Sequence, residues 1–151
     1  MWLLRCGRRN RWENRRADEL LDVAAAAKDL TLRPGEDGLS LFEVADEDDG
    51  KRTATLFGVH RTLTLGRSEH VDYVLIPADV FGTFRLKIVT APDPELGPHL
   101  SSRHREAKGI TDAIAVDLAA AILNDGRFKV DRVKKQDVEA AVRKHNAGES
   151  T

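Results

Sequence analysis

The sequence predicts a single α+β (or α/β) domain, in which helices pack on a small mixed β-sheet. Residues 39–45 and 71–77 are apolar on both faces, which is typical of buried strands. Residues 16–30 and 111–124 instead repeat apolar side chains at three- and four-residue spacing, which is typical of helices. A chain of 151 residues with 41% hydrophobic and 32% charged residues suits one globular domain and argues against disorder.

Residues 1–15 are predicted to form a basic N-terminal arm or an edge strand. Residues 1–16 contain six arginines and one glutamate, whereas the whole chain has a net charge of −1. Arginine contacts phosphates, and tryptophan stacks on bases or anchors protein interfaces. The candidate partner-binding residues are therefore Arg8, Arg9, Arg11 and Trp12. A third interpretation packs this arm on its own sheet, beside the acidic residues 46–49.

The main domain is predicted to span residues 16–147 and to begin with helix 16–30. Its apolar stripe consists of Leu20, Leu21, Ala24 and Ala27. Pro34-Gly35 and Asp37-Gly38 then break the chain, strand 39–45 follows, and the acidic loop 46–49 ends that strand. Residues 52–65 fit a helix or a strand. We favour a helix, because it would connect two buried strands as in a βαβ unit.

Residues 71–77 give the clearest strand pattern and are predicted to lie in the interior of the sheet. Strand 83–90 alternates apolar and polar residues, so one of its faces should meet solvent. The prolines from 92 to 98 indicate an ordered loop or hinge, and Thr111 is a good N-cap for helix 111–124. A short strand near Phe128 and Val130, an amphipathic helix and a polar tail at 148–151 complete the prediction.

Asp72 is the most suggestive single residue, because it is a carboxylate within an apolar strand. A buried carboxylate is costly unless it is paired, and such positions often serve active sites. The alternative is that Asp72 pairs with Arg61 or Arg67, or lies in water at the end of the strand.

His99, His104 and Glu106 form a second polar cluster. Helical positions five residues apart differ by about 140°, so the two histidines would not share a helix face. The chain also lacks a zinc motif and a cysteine pair, and a solvated polar segment without metal is the prediction. Together with Asp72, these residues are the fallback set for a small hydrolase or transferase.

No glycine-rich phosphate loop and no serine elbow occurs in the sequence, so no cofactor is predicted. Cys6 is the only cysteine, which excludes an internal disulfide, and no run of 18 apolar residues is present. We therefore expect a cytoplasmic protein that does not enter a membrane.

The favoured function is an accessory or interaction protein that acts through a protein partner or a homo-oligomer rather than as an enzyme. The alternatives are a nucleic-acid-binding protein that uses the arginine-rich arm, and the hydrolase or transferase based on Asp72 with His99 or His104.

Overall fold

The computed structural model describes residues 1–148, which form one six-stranded sheet with helices on both faces. The strands are β1 (Trp2–Cys6), β2 (Gly38–Val44), β3 (Val71–Pro77), β4 (Lys87–Thr90), β5 (His104–Lys108) and β6 (Lys129–Val133). Their order is β4-β5-β2-β1-β3-β6, and each neighbouring pair is antiparallel. The α+β prediction is confirmed, but the sheet is not mixed, because β1 separates the two parallel strands β2 and β3.

Two helical layers cover this sheet. The helices are α1 (Leu20–Ala27), α2 (Glu47–Leu65), α3 (Ala78–Gly82), α4 (Pro98–Arg103), α5 (Asp112–Asp125) and α6 (Lys135–Asn146). Helices α1, α3 and α5 share one apolar cluster with Leu3 and Val74, whereas α2, α4 and α6 share another with Leu4 and Leu75. Successive strand residues therefore point into opposite layers, as the pleat of a strand requires.

Strand β3 lies in the interior of the sheet, as the sequence predicts. It is flanked by β1 and β6, and all seven of its residues are buried. The strands predicted at 39–45 and near Phe128 are confirmed as β2 and β6, and helix 111–124 is confirmed as α5. Thr111 caps α5 by accepting a hydrogen bond from the Ile114 amide at 3.2 Å.

The prediction of an arm or an edge strand at the N-terminus is wrong for residues 2–6. Strand β1 pairs with β2 on one side and with β3 on the other, so it is an interior strand. The physical reason is that Leu3 and Leu4 are buried in opposite layers, 1% and 0% exposed. The neighbouring arginines suggested a solvated arm, although the short segment itself is apolar on both faces.

The prediction of a helix over residues 52–65 is confirmed, but α2 begins earlier, at Glu47. The predicted acidic loop 46–49 is the start of this helix, because the Asp46 carboxylate accepts a hydrogen bond from the Asp49 amide. Gly50 and Gly58 let α2 approach its neighbours closely. A Cβ atom on Gly58 would lie 3.0 Å from side-chain atoms of Val71 and Val138.

Two other element boundaries differ from the prediction. Residues 83–86 are not part of β4, because Arg85 adopts a left-handed backbone conformation with φ of 55°, which interrupts a strand. Helix α1 is confined to residues 20–27 of the predicted 16–30. The predicted tail 148–151 lies outside the described residues, except for Gly148. Among residues 1–148, no helix is long and apolar enough to cross a membrane.

Candidate functional site

The arginine-rich segment after β1 is held in place by a buried carboxylate. Asp29, which follows α1, accepts hydrogen bonds from Trp12 Nε1 at 2.8 Å and from the Arg8 amide at 3.3 Å. Its other carboxylate oxygen pairs with the Arg11 guanidinium. Gly7 makes this approach possible, because a Cβ atom there would lie 2.2 Å from an Asp29 oxygen. This network folds residues 9–11 into a 3₁₀ turn on the edge of the core.

Trp12 therefore does not present the surface anchor that the sequence predicted. Its side chain is only 1% exposed, and its ring packs 6.0 Å from the ring of Phe128. An indole inside the core cannot contact an external partner, so its assignment as a partner-binding residue is wrong. Trp12 and Arg11 instead fit the third interpretation, in which this segment packs on its own domain. The acidic partner of the two residues is Asp29 rather than residues 46–49.

Asp72 is paired, but not with the arginines that the sequence offered. Its carboxylate accepts hydrogen bonds from Arg132 Nε at 2.6 Å, Arg132 Nη2 at 3.1 Å and the Arg9 amide at 3.0 Å. Arg61 and Arg67 pair with Glu69 instead. Burial raises the pKa of Asp72, yet the bonds from Arg132 and Arg9 outweigh burial and lower the pKa overall. Asp72 is consequently a fixed anion rather than a proton carrier near neutral pH.

A groove of about 330 Å³ opens above this ion pair. It brings together Asp72 and two residues of the predicted basic segment, Arg8 and Arg9. The groove is lined by Arg8, Arg9, Asn10, Glu13, His70, Asp72 and Arg132. Arg9 pairs with Glu13 at 2.9 Å, whereas the Arg8 guanidinium forms no ion pair within residues 1–148. Three arginines against two carboxylates leave the groove positively charged.

The other three fallback residues lie elsewhere, so the proposed combination of Asp72 with His99 or His104 is not formed. The sheet register aligns His104 with Phe42, Leu4 and Leu75. His104 on β5 is therefore three strand spacings, about 14 Å, from β3, the strand that carries Asp72. Glu106 binds Lys108 Nζ at 2.6 Å instead of a histidine.

His104 also contradicts the prediction of a solvated polar segment. It begins strand β5 and is only 7% exposed. Its Nδ1 lies 2.6 Å from the carbonyl oxygen of Ala91, and its Nε2 lies 3.1 Å from Oγ of Ser40. His99 lies on α4, where burial and the nearby charge of Arg103 lower its pKa, so it is neutral at neutral pH.

Cys6 is not an activated thiol. It packs partly buried against the cluster of α2 and α6. Burial raises its pKa to about 12, and the charges of Arg5 and Arg61, which act in the opposite direction, do not offset this effect. Within residues 1–148, no three histidine, cysteine or acidic side chains are grouped so that they could bind one metal ion.

The exposed face of α1 is the surface that the sequence misassigned most clearly. Leu20 and Leu21 were predicted to line the buried stripe, yet they are 86% and 84% exposed. The buried positions are Val23, Ala26 and Ala27. Helix α1 packs along α5, whose Val116 is 45% exposed. Because apolar residues occupy both the exposed and the buried positions of α1, its sequence does not mark which face turns inward.

Comparisons of the chain with protein-family models, with curated proteins and with solved structures find no match. The function is therefore inferred from the side chains and surfaces described above.

Proposed function

We propose that this chain is an interaction protein whose binding surface is the exposed apolar face of α1, and that the partner is a second copy of the chain. The observation that supports the proposal is the pair Leu20 and Leu21, both more than four-fifths exposed on one short helix. Burying a leucine side chain contributes about 1.5–3 kcal/mol, so two adjacent leucines supply a substantial part of an interface. Single exposed leucines are common, but adjacent ones on an apolar helix indicate a contact surface.

The shape of α1 suits contact with its own copy. Leu20, Ala24 and Lys28 follow one another at four-residue spacing, and all three are exposed. When two copies of this helix cross antiparallel, the small Ala24 leaves room for the leucines of the partner. Two-fold symmetry makes each contact occur twice, which is the usual arrangement of a dimer interface.

Charge also favours the antiparallel arrangement. Glu19 precedes α1, whereas Lys28 follows it, and both are exposed, while Asp18 is already paired with Arg16 at 2.8 Å. Antiparallel contact brings Glu19 of each helix towards Lys28 of the other, whereas parallel contact would bring like charges together. A stable interface buries about 800 Å² per partner, so parts of α5 such as Ala120 and Ala121, which line a groove with Ala17 and Asp18 just before α1, complete the surface.

Sedimentation velocity over a range of protein concentrations tests this proposal. We expect the wild-type chain to shift from monomer to dimer as concentration rises. The double variant Leu20→Asp, Leu21→Asp should remain monomeric, because charge repulsion replaces apolar contact. Its free energy of unfolding should change by no more than about 0.5 kcal/mol, since both side chains already meet solvent.

The matched control is Leu63→Asp with Leu65→Asp at the end of α2. These leucines are 53% and 54% exposed and belong to the opposite layer, so the control should dimerise like the wild type. A wild-type chain that stays monomeric at all concentrations would overturn the proposal. So would a dimer that persists in the Leu20, Leu21 variant.

A second candidate function, nucleic-acid binding, is favoured by the groove around Asp72. Arg132 extends the basic lining of Arg8 and Arg9 beyond the N-terminal segment. Fluorescence anisotropy with single-stranded and duplex oligonucleotides tests it. If the groove contacts phosphates, Arg8→Ala with Arg9→Ala should weaken binding to all sequences and reduce the log–log salt slope by about 1 per arginine.

Arg16→Ala is the control for this second candidate, because Arg16 is 68% exposed, pairs with Asp18 and lies outside the groove. Equal loss of affinity in both variants would indicate general charge attraction rather than a site. Absence of binding at low salt would exclude the candidate.

A further inference from the structure

Ser40 and His104 form a hydroxyl–imidazole pair that the sequence does not reveal. Ser40 lies in β2 and His104 in β5, and Nε2 of the histidine is 3.1 Å from Oγ of the serine. The other ring nitrogen, Nδ1, is 2.6 Å from the carbonyl oxygen of Ala91. The two residues are 64 positions apart in the chain, and the antiparallel pairing of β2 with β5 brings them together.

The Ala91 carbonyl decides which nitrogen carries the proton. A carbonyl oxygen can only accept a hydrogen bond, so Nδ1 must donate, and in the neutral ring Nε2 then has a free lone pair. The Ser40 hydroxyl consequently donates to Nε2. The imidazole thus has the tautomer and the orientation that general-base activation of a serine requires, with a carbonyl in the role that a carboxylate often has.

The imidazole is held by contacts on several sides, and Ser40 is the more exposed member of the pair. His104 is 7% exposed, its ring centre lies 5.4 Å from that of Phe42, and its backbone carbonyl accepts the Ala91 amide at 3.1 Å. Ser40 is a partly exposed residue, so it is the more exposed member of the pair. Such an arrangement fixes the base and presents the nucleophile.

We propose that Ser40 is a nucleophile activated by His104 and that it is acylated by small activated esters. Ser40 Oγ attacks the carbonyl carbon of the ester, and its proton passes to His104 Nε2. The bond to the leaving alcohol breaks, and the alcohol takes the proton from Nε2. Water then attacks the acyl-serine with His104 again as base, which releases the carboxylic acid and restores the Ser40 hydroxyl.

This site is independent of the self-association proposed for α1. Ser40 shares its sheet face with Phe42 and the layer of α2, α4 and α6, whereas α1 lies in the opposite layer. The failure of one proposal therefore leaves the other unaffected.

Labelling with a fluorophosphonate tests the site, because this reagent phosphonylates serine hydroxyls that have an adjacent base and releases fluoride. We expect peptide mapping of the labelled wild-type chain by mass spectrometry to place the adduct on Ser40. Ser40→Ala should lose it, and His104→Asn should label at least about 100-fold more slowly, as expected when a general base is removed. The same chain should show acetyl-Ser40 after treatment with p-nitrophenyl acetate.

Ser102→Ala is the matched control. Ser102 is exposed, but its hydroxyl donates to the His99 carbonyl at 2.8 Å and has no imidazole nitrogen as a partner. The control should label at the wild-type rate. Because mapping on the wild-type chain needs no variant, a folding defect in His104→Asn leaves the test intact. An adduct on other serines, or equal labelling of wild type and Ser40→Ala, would overturn the proposal.

Discussion

The two helical layers differ in the surface that they present to solvent. Helix α6 turns Val138 and Ala141 inward and exposes charged residues such as Lys135 and Lys144. Helix α1 turns Val23 and Ala26 inward but exposes Leu20 and Leu21. Both helices bury apolar side chains in their layer, so the contrast between them concerns the side chains that remain outside. The outer face of α6 is charged, whereas the outer face of α1 is apolar and suited to a further contact.

The difference follows from composition. Residues 135–146 include charged and polar side chains, so only one stripe of α6 is apolar and its orientation is fixed. Residues 20–27 read Leu-Leu-Asp-Val-Ala-Ala-Ala-Ala, and several faces could pack inward. Close packing along α5 selects the face with small residues, which allows the two helices to approach each other.

The largest expected effect concerns the sheet that both layers share. Val74 points into the layer of α1 and α5, and its neighbour Leu75 points into the layer of α2 and α6. Val74→Asp and Leu75→Asp should each abolish the cooperative thermal transition, because each buries an unpaired charge at a cost of several kcal/mol. Circular dichroism measures the transition. A variant that melts like the wild type would show that its layer is not needed for folding.

A smaller effect is expected at Trp12, which closes the end of the α1 layer. Trp12→Ala should lower the free energy of unfolding by about 3–5 kcal/mol, because it removes a buried ring. Trp12→Phe retains most of the ring but loses the Nε1 donor to Asp29, so about 1–3 kcal/mol is expected. Urea denaturation measures both values. If the two variants were equally destabilised, the hydrogen bond rather than the ring would explain the effect.

The sequence predicts elements well where composition and periodicity agree. Strand β3 is apolar at nearly every position, and α5 and α6 have clear stripes, so their type and position could be read directly. The sequence misleads at β1, where the surrounding arginines suggested a solvated arm although Leu3 and Leu4 are in the core. It also misleads at α1, where apolar residues occupy both the buried and the exposed positions.

The candidate sites depend on contacts between residues far apart in the chain. The sequence offers Arg61 and Arg67 as possible partners of Asp72, or water at the end of the strand, whereas the partner Arg132 is 60 positions away. An alternating pattern in β6 places Arg132 on the same face as Val130, which was the available signal. The Ser40–His104 pair gave no local signal, because it exists only through strand pairing.

The smallest expected effect concerns the Asp72–Arg132 pair and depends on pH. In the folded chain the pKa of Asp72 is lower than its unfolded value of about 3.9, so the pair stabilises the fold above that value. The stabilisation by this ion pair is lost as the pH falls below about 4 and then through the pKa that Asp72 has in the folded chain. Because Arg132 is 35% exposed, Arg132→Met should cost only about 1–2 kcal/mol at neutral pH.

Urea denaturation of the wild type and of Arg132→Met between about pH 3 and 7 measures how the free energy of unfolding depends on pH. The difference in free energy between the two proteins should be constant near neutral pH. It should begin to shrink at about pH 4 and approach zero in stronger acid. Asp49 also has a lowered pKa, where burial is outweighed by bonds from the Ala45 amide and Arg103, but it contributes equally to both proteins. Asp72→Asn should remove the same pH-dependent part. A difference that grows in acid would mean that Arg132 stabilises the protonated form of Asp72, which contradicts the geometry of two guanidinium hydrogen bonds to one carboxylate.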